Sequence, residues 1–206
     1  MTTPEFVIAG HVVRDLLSRG WRLGGTATFA AVQAQRLGLR AGVVTRVGPE
    51  LDLEEGLPHI AVAGRPAETT TCFENVYEAG RRRQRVPEQA PDITVVDIPA
   101  AWRSAPIALL GPVCGELPVD LGRAFPKSLV GVSAQGWLRR LDRSRRVRRA
   151  AWEGPPFWRG CRALFVSDED VGRRPDQVER WMAGVPIVAL TRYRKGARVY
   201  ARGRWR

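Results

Sequence analysis

The stretch Gly24-Gly25-Thr26-Ala27-Thr28-Phe29-Ala30-Ala31-Val32-Gln33-Ala34-Gln35-Arg36-Leu37-Gly38 decides how this chain reads. A glycine pair opens it, and Phe29, Ala30, Val32, Ala34 and Leu37 can share one face of a helix over 26–37. Gly38 then stands where helices commonly end. Upstream, Phe6-Val7-Ile8-Ala9 is a short apolar run stopped by Gly10, and downstream a second run covers 41–47. Strand, glycine turn, helix, glycine, strand is the cadence of an α/β layer structure.

Farther along, 59–86 breaks that cadence. Ile60 and Val62 alternate with other residues, Thr69 to Tyr77 is rich in β-branched and aromatic types, and Ala79-Gly80 forms a turn before Arg81 to Val86. This pattern predicts an antiparallel hairpin outside the main sheet, a small lid formed mainly by 57–90. The α/β rhythm then resumes. The runs 107–110, 129–132, 163–166 and 187–190 close on Gly111-Pro112, Ser133, Ser167 and Thr191. Near-continuous apolar runs of this kind read as parallel strands covered on both faces, with the site at their carboxyl ends. Helices are expected at 119–125 and 174–182, the latter with an early proline and with Val178, Trp181 and Met182 at helical spacing.

The chain has 206 residues, 44% hydrophobic and 26% charged, which suits one domain. Its net charge is +12, and Lys127 and Lys195 are its only lysines. An arginine surplus draws polyanions, yet it equally fits a chain-wide preference for arginine over lysine, so a nucleic-acid partner is not expected. The segment 139–149 holds seven arginines, with Leu141 and Val147 its only large aliphatic residues. It reads as a solvated face or loop, with phosphate or nucleic-acid contact as the other reading. Cys72, Cys114 and Cys161 are far apart, and only His11 and His59 stand beside them as soft ligands, so neither a zinc site nor a disulfide framework is expected. No apolar run approaches the roughly 20 residues of a membrane span, and a cytoplasmic location is expected. A Gly-x-Ser-x-Gly elbow is absent, which sets aside a serine hydrolase.

The Gly24–Gly38 segment resembles the N-terminal motif of the ribokinase/PfkB carbohydrate kinases, and other features follow in that family's order. Gly10-His11-Val12-Val13-Arg14-Asp15 resembles its first strand end, and Thr70 to Tyr77 its lid strand. Val130 to Arg139 is similar to the central strand, Val166-Ser167-Asp168-Glu169-Asp170 to the Asn-x-x-Glu motif, and Thr191 to Ala197 to the nucleotide loop. The resemblance implies a Rossmann-like three-layer α/β core with a β lid. It further implies phosphoryl transfer from ATP, with magnesium, to a sugar or polyol hydroxyl, and pairing into homodimers through the lid.

By the same resemblance Asp15, Gly24, Gly25 and Phe29 are the substrate-binding candidates, and Ser167, Asp170, Thr191 and Gly196 the cofactor-binding ones. Phe29 replaces an asparagine, Ser167 and Asp170 replace the asparagine and glutamate of Asn-x-x-Glu, and Tyr193 replaces a glycine. The family's Gly-Ala-Gly-Asp motif supplies an anion hole and a general base, and no such string occurs from Met1 to Arg206. The reading is therefore a divergent, C-terminally shortened member with its base expected beyond Arg206 and kinase-rate turnover not expected of these residues. The alternative is a non-catalytic binding or scaffold protein that keeps the fold and contacts a polyanion through its arginines.

Overall fold

Each glycine-bounded apolar run becomes a strand in the computed structural model, which describes residues 3–78, 81–154, 160–172 and 175–206. The first half contains β1 (Phe6–Ala9), β2 (Val13–Leu16), β3 (Trp21–Gly24), α1 (Gly25–Arg36), β4 (Ala41–Val44), α2 (Leu53–Gly56), β5 (Ala61–Ala63), β6 (Cys72–Glu78) and β7 (Arg81–Arg85). The second contains β8 (Ile107–Leu110), β9 (Leu129–Ser133), β10 (Arg139–Leu141), β11 (Val147–Arg149), β12 (Cys161–Ser167), α3 (Asp168–Val171), α4 (Pro175–Gly184), β13 (Ile187–Thr191), β14 (Ala197–Ala201) and β15 (Arg204–Trp205). The expected helix at 119–125 is a short 3-10 turn, Leu121–Ala124.

A nine-stranded sheet in the order β15-β14-β13-β12-β9-β8-β1-β4-β5 forms the core. Its strands run parallel from β5 to β13, and β14 and β15 return antiparallel at one edge. One face buries Val7, Ala9, Val44, Leu110, Val132, Leu164 and Val188 in the largest cluster. The opposite face carries α1 over Ile8 and Val43. There the buried residues of α1 are Ala27, Thr28, Ala31 and Ala34, while Phe29 and Leu37 are exposed. The sequence placed Phe29, Ala30, Val32, Ala34 and Leu37 on one apolar face. Small residues win because they let the helix backbone approach the sheet closely. The helix ends as expected, with Gly38 N–H on Gln35 O and Leu39 N–H on Ala34 O, the paired bonds of a glycine-closed C-terminus.

Two other differences concern coverage and the lid. Leu129, Phe165 and Ile187 are exposed on the α1 side of the sheet, so among the described residues β9, β12 and β13 are covered on one face, not both. The small sheet is β3-β2-β6-β7, made from 13–24 and 72–85. The expected lid, 57–90, is thus half of it. Ala61–Ala63 pairs parallel with β4 in the large sheet, and the strands Val13–Leu16 and Trp21–Gly24 supply the missing half. The turn at Ala79-Gly80 lies outside the described residues.

A buried polar joint connects lid to core. The carboxylate of Glu116 accepts from the backbone N–H groups of His11, Val113 and Cys114. His11 Nε2 faces Pro91 O at 3.1 Å, so that nitrogen carries the proton and donates, and His11 Nδ1 accepts from Thr71 Oγ1 at 2.8 Å. His11 precedes β2 and Thr71 precedes β6, so the two parallel lid strands leave the core from one hydrogen-bonded point. The three cysteines are buried and unpaired, and burial pushes the Cys114 thiol up to about 11 and Cys161 to about 12.

Candidate functional site

A cavity of about 740 Å³ opens at the carboxyl ends of β1, β8 and β9, beneath the lid. β2 brings Asp15 to it, the start of α1 brings Gly25, Thr26 and Phe29, β6 brings Phe73 and Asn75, and the segment after β9 brings Gln135 and Arg139. Three of the four substrate candidates, Asp15, Gly25 and Phe29, therefore meet in one place. The fourth sits directly behind: a Cβ on Gly24 would run into the Asp15 carboxylate. Gly25 has φ +86° and a Cβ there would stand 2.6 Å from His11 O, so both glycines are needed for the turn from β3 into α1 to pass this close.

Asp15 is held from several sides. Asn75 Nδ2 donates to Asp15 Oδ1 at 3.4 Å, Gln84 Nε2 donates to Asn75 Oδ1 at 2.9 Å, and Arg22 Nε lies 3.9 Å from Asp15 Oδ2. A fixed carboxylate accepts hydroxyl protons, the amides both donate and accept, and Phe29, Phe73 and Val13 offer apolar surface for C–H groups. That set suits a neutral, hydroxyl-rich molecule. Arg22, Asn75, Gln84 and Gln135 are not among the residues singled out from the sequence, and Arg139 enters there only as part of the 139–149 arginine segment and the central-strand motif. Asn75 and Gln135 lay inside motifs already singled out, whereas nothing local marks Arg22 or Gln84, which reach the cavity only through strand register.

The cofactor candidates divide into two groups. Ser167 Oγ caps the short turn α3 by accepting from Asp170 N–H at 3.1 Å, and it donates to Asp170 Oδ2 at 2.6 Å. Asp170 Oδ1 accepts from Arg139 Nε at 3.2 Å and Nη2 at 3.0 Å, a pair with side chains 6% and 7% exposed. Both carboxylate oxygens are thus committed to donors within the protein. As placed, Asp170 does not fit a magnesium ligand, direct or through water, and no group of three metal-ligating side chains occurs among the described residues.

Thr191 and Gly196 flank a loop after β13 that closes on itself. Thr191 Oγ1 donates to Val166 O, Arg192 N–H to Gly196 O, Lys195 N–H to Arg192 O and Gly196 N–H to Tyr193 O. Tyr193 is 86% exposed with φ +49°, a conformation the family's glycine would adopt freely. Three backbone amides that a phosphate cradle would use are occupied by the loop's own carbonyls, so this loop in its present shape does not fit a nucleotide's phosphates.

The parallel sheet, the β lid and a cavity at the strand ends between them define the ribokinase fold. Among solved structures, a pyrophosphate-dependent kinase of the ribokinase family matches with a TM-score of 0.80 at 19% identity, over 97% of this chain and 77% of that one. A pyrophosphate-dependent myo-inositol-1 kinase matches at 0.78 and 18%, over 97% and 74%. Arabidopsis thaliana ribokinase, complexed with ribose and ATP, matches at 0.63 and 15%, over 98% and 76%. No protein-family model matches the sequence, and no curated protein does. No helix of the described residues is long and apolar enough to cross a membrane.

Proposed function

We propose that the chain is a homologue of the PfkB-type carbohydrate kinases that binds a sugar or polyol in the Asp15 cavity, for phosphoryl transfer to one of its hydroxyls. The observation that carries this reading is the Asp15 carboxylate, fixed by the Asn75–Gln84 amide pair inside a partly apolar cavity at the strand ends. Solved structures of the same fold hold ribose with ATP in one case and myo-inositol with a pyrophosphate analogue in another. ATP with magnesium is the donor the fold implies. A second reading for the donor is inorganic pyrophosphate, which needs no adenosine pocket and on which kinases of the same fold depend.

In the first reading Asp15 accepts hydrogen bonds from two substrate hydroxyls and thereby sets which hydroxyl faces the donor. Exposed Leu17, Trp21 and Val76 on the lid support pairing of two copies through it, and buried reduced thiols support a cytoplasmic location. Replacing Asp15 by alanine is expected to weaken polyol binding about 5- to 150-fold, the loss of a charged hydrogen bond worth about 1–3 kcal/mol. Calorimetric titration of both proteins with ribose and myo-inositol checks this. Equal affinities for a polyol that binds would remove Asp15 from the site.

A further inference from the structure

On the face of the large sheet away from α1, three 3-10 turns, Val95–Asp97, Ala100–Ser104 and Leu121–Ala124, stand where an α/β fold places helices over β8 and β9. A 3-10 turn is short and narrow, so it covers less of a sheet than an α-helix does. Between these turns lies a cavity of about 730 Å³ that shares no residue with the Asp15 cavity. Trp102 and Phe125, each 2% exposed, come from the same segments and are packed in the main core. The cavity is therefore a recess in the surface, above a core that is closed without it.

Val95, Ala100, Leu121 and Ala124 give the recess apolar walls, and Arg103, Arg123 and Lys127 give it three cations against the single carboxylate of Asp120. Arg123, Lys127 and Asp120 are exposed, and none of the four charged side chains forms an ion pair among the described residues. Arg103 is half-buried and held in place. Its Nη2 donates to Val95 O at 3.0 Å and to Ile98 O at 3.3 Å, while its Nε is buried without a hydrogen-bond partner among the described residues. A guanidinium taken partly out of water, with neutral partners only, carries a desolvation cost that no counter-ion offsets. An anion in the recess offsets it, and a neutral polyol does not.

We propose that this recess binds a small organic anion with an apolar body, its charge among Arg103, Arg123 and Lys127 and its apolar part against Val95, Leu121 and Ala124. Mostly apolar walls with a few charged groups, in a volume of this size, are what small-molecule sites present. The inference stands on these residues alone and is independent of the polyol reading of the Asp15 cavity.

The test is titration of the full, isotopically labelled chain with octanoate, followed by amide NMR at fixed low ionic strength, because exposed charges are screened by salt. Saturable shifts are expected at Val95, Arg103, Leu121 and Lys127. The neutral 1-octanol, with the same alkyl chain, is expected to bind about tenfold or more weakly, since it lacks the charge-assisted bonds. The Arg123→Ala/Lys127→Ala variant, which removes two exposed and unbonded side chains, is expected to weaken octanoate about threefold or more and to leave 1-octanol unchanged. Arg202→Ala/Arg204→Ala removes equal charge from exposed positions elsewhere and is expected to change neither. Ala100→Trp, at an exposed position in the wall, is expected to weaken both compounds by filling the recess. Absence of saturable octanoate shifts, equal affinity for octanoate and 1-octanol, shifts centred on the Asp15 cavity, or equal weakening in the Arg202→Ala/Arg204→Ala control overturns the proposal.

Discussion

Replacing Asp97 by alanine is expected to destabilise the protein by about 3–5 kcal/mol, the cost of leaving a buried charge without its partner. Arg46 and Asp97 have side chains 9% and 0% exposed and pair through two bonds, Nε to Oδ1 at 3.2 Å and Nη2 to Oδ2 at 2.8 Å. Arg65 donates to the same carboxylate from its backbone N–H and its side chain, and Thr94 N–H donates to Oδ2 at 2.8 Å. One carboxylate therefore joins the segments that follow β4 and β5 to the turn that leads toward β8. Urea unfolding measures the loss, and a change below about 1 kcal/mol would show that Arg46 finds water or another partner. The double change Arg46→Met/Asp97→Leu is expected to recover much of the stability, since no buried charge is then left unpaired and Arg65, 57% exposed, turns to water.

The same group sets an acid dependence. Burial pushes the Asp97 carboxyl up, but the bonds from Arg46, Thr94 and Arg65 outweigh it and hold the group at about 2, against an ordinary 3.8. A depressed native value means that the stabilisation is full above about pH 4 and disappears as pH falls toward 2. Its size is about 2 kcal/mol. The difference between the wild-type protein and Asp97→Ala should narrow across that interval.

The second large effect lies at the other end of the sheet. Trp181 on α4 is fully buried, its ring 5.7 Å from that of Trp152, which in turn stacks on Trp137 at 5.0 Å. Trp137 Nε1 donates to Leu117 O at 2.8 Å, and Gln177 Nε2 donates to Trp152 O at 2.9 Å. These three rings fill the space between α4, the segment after β9 and the sheet. Trp181→Ala is expected to cost about 3–5 kcal/mol through the cavity it leaves. Trp181→Phe should cost much less, because the indole N–H of Trp181 is buried without a hydrogen-bond partner among the described residues and phenylalanine removes it. Denaturant midpoints followed by tryptophan fluorescence distinguish the two.

What the sequence reveals about this fold follows from how locally each signal is written. The four apolar runs from Ile107 onward and the run at Phe6 are all strands of the large sheet, although only β1 is buried along most of its length and β9, β12 and β13 alternate between buried and exposed residues. The lid is less legible. Leu16-Leu17-Ser18-Arg19-Gly20-Trp21 carries no alternation, so β2 and β3 become visible only once β6 lies beside them. The arginine segment 139–149 reads as a loop because like charges across a ladder oppose pairing, yet Leu141 and Val147 stand opposite each other and pack against the cluster of Val13 and Phe73. Asp15 is legible from motif order. Its supports Asn75, Gln84 and Arg22 are not, because they depend on which residues face one another across three strands.

The central claim is that the Asp15 cavity is where a polyol binds, and a titration of the isotopically labelled protein with myo-inositol and with ribose, followed by amide and side-chain NMR, tests it most directly. The account predicts saturable shifts for Asp15, Gly25, Phe29, Asn75, Gln84 and Arg139 with at least one of the two, and loss of those shifts in Asp15→Ala. Shifts confined to the separate cavity between Thr94 and Lys127, or no saturable shifts with either compound, would contradict it.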